Sequence, residues 1–146
     1  MDDKRFLFGG LFAIANELQV VGDLFLGEMT AKQWLLLECV AEHSPARPNL
    51  TRLSSALGSS RQNVKQLALK LEALGYANLL PEESDHREVC VALTDKAREF
   101  LSSRNQDLID FLNTLFDGLP PEEIRATLHT METLDANVKR LHEKYT

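Results

Sequence analysis

Two stretches of heptad-spaced apolar residues, one at each end, constrain the chain more than any other feature. Near the start, Leu7, Leu11, Ile14, Leu18, Val21 and Phe25 follow in steps of 4, 3, 4, 3 and 4. Near the end, Ile124, Leu128, Met131, Leu134, Val138, Leu141 and Tyr145 continue in steps of 3 and 4. Such spacing places one apolar edge along a helix, and that edge packs on another helix. At 146 residues the chain has the length of one domain. So short a chain offers the two seams too little partner surface, which makes the same helices of a second copy their natural partners.

Between the seams the pattern shortens. Thr30 and Gln33 form a capping box that opens a helix through the apolar run Trp34 to Ala41. His43 to Pro48, with two prolines, ends it. A short helix follows from Leu50 to Leu57, stopped by Gly58. Ser59 or Ser60 caps the next, which runs to Leu74 and should bury Val64, Leu67, Leu71 and Leu74. Two helices joined by a tight glycine turn make a helix-turn-helix. The period then changes to two. Ala77 to Leu80 reads as a strand, Pro81 to Arg87 as a charged turn, and Val89, Val91 and Leu93 alternate with Glu88, Cys90 and Ala92. A hairpin directly after a helix-turn-helix is a wing. Thr94 and Asp95 cap a further long helix with Ala97, Leu101, Arg104, Leu108, Phe111 and Leu115 along one edge, broken at Asp117 and Gly118. Pro120 and Pro121 open the last helix.

The expected fold is therefore mainly α, a winged helix-turn-helix with a small β-hairpin wing and a helical dimerisation region from both chain ends. Residues 1–46 and 99–146 supply the dimerisation region and residues 47–98 the winged module. Charge follows the same division. The net charge is −6, which by itself disfavours nucleic acid. Residues 47–98, however, hold eight Lys and Arg against six Asp and Glu, whereas both flanks are acidic. A basic centre between acidic arms suits a chain whose middle alone meets an anion.

Several classes are disfavoured. Cys39 and Cys90 form no Cys-x-x-Cys pair, and free thiols suit a reducing cytoplasm. His43, His86, His129 and His142 show no helical pairing at three or four residues, so no metal site and no cofactor are expected. No nucleophile elbow or phosphate-cradling glycine loop stands in the chain, which argues against an enzyme. No run reaches the ~18 consecutive apolar residues of a membrane span. Residues 4 to 15 faintly resemble a signal peptide, but Asp2 and Asp3 spoil its positive start and the seam continues to Phe25, so a retained helix and a cytoplasmic protein are expected. Cys39 reads as core, and Cys90, on the polar side of a wing strand, as exposed and open to oxidation.

The order of these elements resembles the MarR family of bacterial regulators. The residues that carry the resemblance are Leu50-Thr51, Leu53 with Leu57-Gly58, Ser60-Arg61 with Val64, and Leu71-Glu72 with Leu74-Gly75. The wing adds Asp85-His86-Arg87, followed by Leu93-Thr94 and Ala97. Leu79 and Leu80 stand where the family often carries a base, which removes one phosphate contact. The resemblance implies a homodimer bound to a pseudopalindromic double-stranded DNA operator, acting as a ligand-responsive repressor. It also implies a small-molecule effector, often an anionic aromatic, whose binding residues the sequence does not identify.

The candidate DNA-binding residues are Ser60, Arg61, Gln62, Asn63, Lys65 and Gln66 on the recognition helix and Asp85, His86 and Arg87 in the wing. A recognition helix presents polar side chains to base edges. Arg suits guanine, and Asn or Gln suits adenine. By resemblance Arg87 enters the minor groove, whose negative potential favours a guanidinium, with Asp85 holding it in a fork. The alternative is a winged-helix protein-interaction module that has lost DNA binding.

Overall fold

The computed structural model describes residues 2–146. In chain order the elements are α1 (Asp3–Leu26), α2 (Ala31–His43), α3 (Leu50–Leu57), α4 (Arg61–Ala73), β1 (Ala77–Pro81), β2 (Val89–Leu93), α5 (Asp95–Ser103), α6 (Asn105–Leu115) and α7 (Pro121–Tyr145). The architecture is mainly helical with one antiparallel hairpin. The chain divides into two compact units, residues 1–103 and 104–146.

In the first unit, local chemistry sets the helix ends. The Thr30 hydroxyl accepts from the Gln33 amide at 3.2 Å, and the Gln33 side chain accepts from the Thr30 amide at 2.9 Å, completing the expected capping box. Asp23 of α1 accepts from the Ala31 amide at 2.6 Å, so α1 helps to cap α2. The two helices approach closely here. A Cβ on Gly22 would stand 2.9 Å from that of Ala31, closer than two side chains tolerate. Asn49 and Ser60 cap α3 and α4 through their side chains. Gly58 ends α3 with φ of 61°, a left-handed conformation that glycine adopts without strain and that turns the chain into α4.

The core of this unit is built on Leu36, Leu37, Leu50, Leu53, Val64, Ala68, Leu71, Val91 and Ala97, which are almost wholly buried. Each fully buried leucine or valine contributes about 1.5–3 kcal/mol against leaving it in water. The buried face of α4 differs from the expected one: Val64, Ala68 and Leu71 are buried, Leu67 is half-buried, and Leu74 is 44% exposed. Val64, Ala68 and Leu71 follow the 3.6-residue turn, while Leu74 lies at the C-cap, past the last turn that packs.

Strands β1 and β2 pair from Ala77 opposite Leu93 to Pro81 opposite Val89. The segment before α3 adds a short third edge: the Val91 amide donates to the Pro48 carbonyl at 3.0 Å, and Asn49 bridges Cys90. The hairpin is locked to the end of α4. The Thr94 hydroxyl donates to the Gly75 carbonyl at 2.7 Å, and Lys96 donates to the Leu74 carbonyl at 2.7 Å while lying 4.6 Å above the Tyr76 ring.

One expected long helix is two. The chain turns at Arg104, between α5 and α6, where the spacing had placed a charged residue on the apolar edge. The Ser103 hydroxyl donates back to the Phe100 carbonyl at 2.9 Å, a local bond that competes with the helical ladder. In the second unit, α6 and α7 bury none of their residues. Pro121 occupies the first turn of α7, as expected. The seam residues of α7, from Ile124 to Tyr145, are 37% to 77% exposed. Most of α1 is open as well, with Phe6, Leu7, Phe8 and Phe12 each more than 60% exposed. Its 24 residues are long and apolar enough to cross a membrane by length and composition, although no continuous apolar run of that length exists.

Candidate nucleic-acid interface

The interface is assembled from the start of α4 and the turn between β1 and β2. Ser60 caps α4 by accepting from the Asn63 amide at 3.1 Å, which fixes the direction of the helix's first turn. Val64, Ala68 and Leu71 hold one side of α4 in the core. Arg61, Gln62, Asn63, Lys65 and Gln66 are consequently all exposed on its other side. No acidic residue occupies the first turn of α4, so its partial positive charge is left for an incoming anion.

The wing turn spans residues 82–88 and is closed by two backbone bonds, Glu82 amide to Glu88 carbonyl and Glu88 amide to Asp85 carbonyl, each 3.0 Å. Asp85, His86 and Arg87 are exposed at its tip. Asp85 does not hold the Arg87 guanidinium in a fork. One oxygen, Oδ1, accepts from the Arg87 backbone amide at 3.0 Å and reaches its Nε at 3.5 Å. Asp85 therefore shapes the turn, and the Arg87 side chain stays 95% exposed. An ion pair this open adds little to stability.

The structure joins the two parts of the site through a residue the sequence did not single out. Glu88, at the foot of the wing, accepts from Nη2 of Arg61 at 3.2 Å and from the Thr51 hydroxyl at 3.3 Å. Arg61 and Glu88 are 27 residues apart, and no spacing rule connects them. The signal available was a carboxylate at the polar position of a strand beside a basic helix start, which many unrelated pairs share.

Cys90 is not exposed as expected. Only 6% of its surface is open, because the bridge to Asn49 covers the β2 edge on which it lies. Burial, with Glu82 and Glu88 nearby, pushes its thiol pKa up against the smaller opposing pull of Arg47. A thiol held protonated and covered is a poor nucleophile. Cys39 is buried too, and burial, followed by the Glu42 charge, raises its pKa. Among the described residues no three His, Cys, Asp or Glu side chains come together as a metal site.

No family model matches the chain. Among curated proteins, an uncharacterised protein of Mycobacterium tuberculosis is 25% identical over 140 residues, covering 94% of this chain and 96% of its own length. The transcriptional activatory protein BadR of Rhodopseudomonas palustris is 26% identical over 141 residues, covering 94% of this chain and 81% of BadR. Among solved structures, a MarR protein of Peptoclostridium difficile superimposes with a TM-score of 0.83 at 20% identity, over 96% of this chain and 92% of that one. Sco3205, a MarR family transcriptional regulator of Streptomyces coelicolor solved in complex with DNA, gives a TM-score of 0.79 at 23% identity, over 89% of this chain and 84% of that one. The fold of this chain is that of the MarR-family regulators, and the solved structures that share it are those of transcriptional regulators.

Proposed function

We propose that this chain is a DNA-binding transcriptional regulator of the MarR type that grips a pseudopalindromic operator as a cytoplasmic homodimer. One observation carries the reading: within one compact unit, an acid-free, Ser60-capped helix start with five exposed polar side chains lies beside a wing that presents an exposed arginine. Ser60, Arg61, Gln62, Asn63, Lys65 and Gln66 would meet the major groove, and His86 and Arg87 the backbone or minor groove beside it, with Asp85 shaping the turn. The solved complex of Sco3205 with DNA supports the partner, since that protein shares the fold.

Dimerisation is part of the reading because the seams of α1 and α7 are exposed along their lengths, and a second copy is the occupant that their heptad spacing fits. A small effector would act by favouring one spacing of the two recognition helices over another.

Selection from a pool of random duplexes at moderate salt, comparing the native chain with Arg87→Ala, tests the reading. The native protein should select a two-fold-related motif, with affinity falling steeply as salt rises. Arg87→Ala should bind that motif at least about ten-fold more weakly. A folded, dimeric protein that selects nothing would overturn the reading in favour of the interaction-module alternative or of a repressor already silenced by a bound ligand.

A further inference from the structure

Glu88 sends its two carboxylate oxygens to two different helices. Oε1 accepts from Nη2 of Arg61, the first residue of α4, and Oε2 accepts from the hydroxyl of Thr51, in the first turn of α3. The Glu88 side chain is 18% exposed and that of Arg61 is 49% exposed. The carboxylate is thus the anchored partner, and the guanidinium keeps an open side. An arginine on a free side chain must lose much rotamer freedom before it can read a base. A carboxylate that already holds one N–H confines the guanidinium while its open side keeps the other donors available. The same negative charge, beside a surface that meets phosphates, opposes duplexes of any sequence. One effect sharpens base preference and the other lowers general affinity, so the two are separable by measurement.

We propose that Glu88 is a specificity-setting positioning residue, which holds Arg61 for a guanine in each half-site and weakens binding to unrelated DNA. The proposal rests on the DNA-binding reading. Arg61 is the group that would touch the base, and Glu88 acts through it.

The test compares native protein, Glu88→Ala, Glu88→Gln, Arg61→Ala and the double variant Arg61→Ala with Glu88→Ala. Each is titrated at one salt concentration against the selected motif, its single base-pair variants and an unrelated duplex. Glu88→Ala should lose about ten-fold discrimination at one base pair per half-site while binding the unrelated duplex more tightly than the native chain. Glu88→Gln keeps an acceptor oxygen without the charge, so its discrimination should fall between those of native and Glu88→Ala. It carries the test by itself if the alanine variant does not fold. Adding Glu88→Ala to Arg61→Ala should change discrimination no further, as expected of two residues acting as one. A carboxylate with only a structural role would weaken every duplex alike and leave the base preference intact, and that result overturns the proposal. If the native chain selects a motif that Glu88→Ala and Glu88→Gln read equally well, the Glu88 proposal alone falls. If the native chain selects nothing, the DNA-binding reading falls and takes the proposal with it.

Discussion

Leu53, in the middle of the chain, is wholly buried, whereas Val138, near its end, is 60% exposed, and each is typical of its region. The core cluster draws all its buried members from residues 26 to 100. Outside that span, the rest of α1, with α6 and α7, carries a comparable supply of leucine, isoleucine, valine and phenylalanine and leaves most of it open. The middle satisfies its own apolar side chains. The ends present theirs in a helical seam, and water is an unfavourable partner for a surface of that extent. Residues 26 to 100 thus build one core, to which α2 contributes Leu36, Leu37 and Val40 beside the winged module, while the terminal helices leave an apolar face uncovered. A lipid bilayer would accept the length of α1, but Asn16 and Glu17 stand near its midpoint, where polar and charged groups are costly. On the proposed reading, a second copy would accept both the seam and the interrupting polar residues at its rim.

The largest effect should come from charging the exposed seam. Leu128→Asp together with Val138→Asp should raise the dimer dissociation constant at least about a hundred-fold, read by sedimentation equilibrium in buffer without detergent. Operator affinity should fall with it, because each half-site then binds without its tethered neighbour. A variant that remains fully dimeric would show that the α7 seam is not the surface that pairs. A native chain that stays in solution only with detergent would turn the comparison toward lipid as the partner of the ends.

The middle should respond in a different currency. Leu53→Ala removes a fully buried side chain between α3 and the rest of the core, and should cost about 2–5 kcal/mol of unfolding free energy by denaturant titration. The same truncation at Leu128, already 57% exposed within one chain, should cost the isolated monomer much less, leaving its effect on dimer formation. Equal costs at both positions in a monomeric background would erase the distinction between the regions.

The same contrast explains what the sequence could and could not tell. Caps and turns are set by residues three or four apart, so the Thr30–Gln33 box and the Gly58 stop were legible and stand where expected, and the cap left between Ser59 and Ser60 falls on Ser60. The hairpin was legible from its period of two. Burial within the module was less so. Cys90 sits on the polar side of its strand by alternation, yet a third edge formed by Pro48 and Asn49, some forty residues earlier, covers it. Glu88 with Arg61, and Tyr76 donating to Glu28 across 48 residues, belong to the same class of pairings made by tertiary folding. The turn at Arg104 was missed for the opposite reason: the apolar spacing runs through it, and only the charged residue on the seam marked the interruption.

The smallest predicted effect lies in α2, where the middle of the chain carries a carboxylate it partly buries. Burial raises the pKa of Glu38, and the nearby Glu42 carboxylate, one turn along the same helix, raises it further. The folded state therefore favours the protonated form more than the unfolded chain does. The stability that this preference contributes is present below the unfolded pKa and is lost as pH rises through the raised folded value. Glu38→Gln, neutral at every pH, should consequently be more stable than the native chain at neutral pH, and the advantage should shrink toward zero as pH falls below about 4, the ordinary glutamate range. Thermal melts of the two proteins across that range measure it. A Glu38→Gln advantage that does not change with pH would mean that packing, and not charge burial, distinguishes this site.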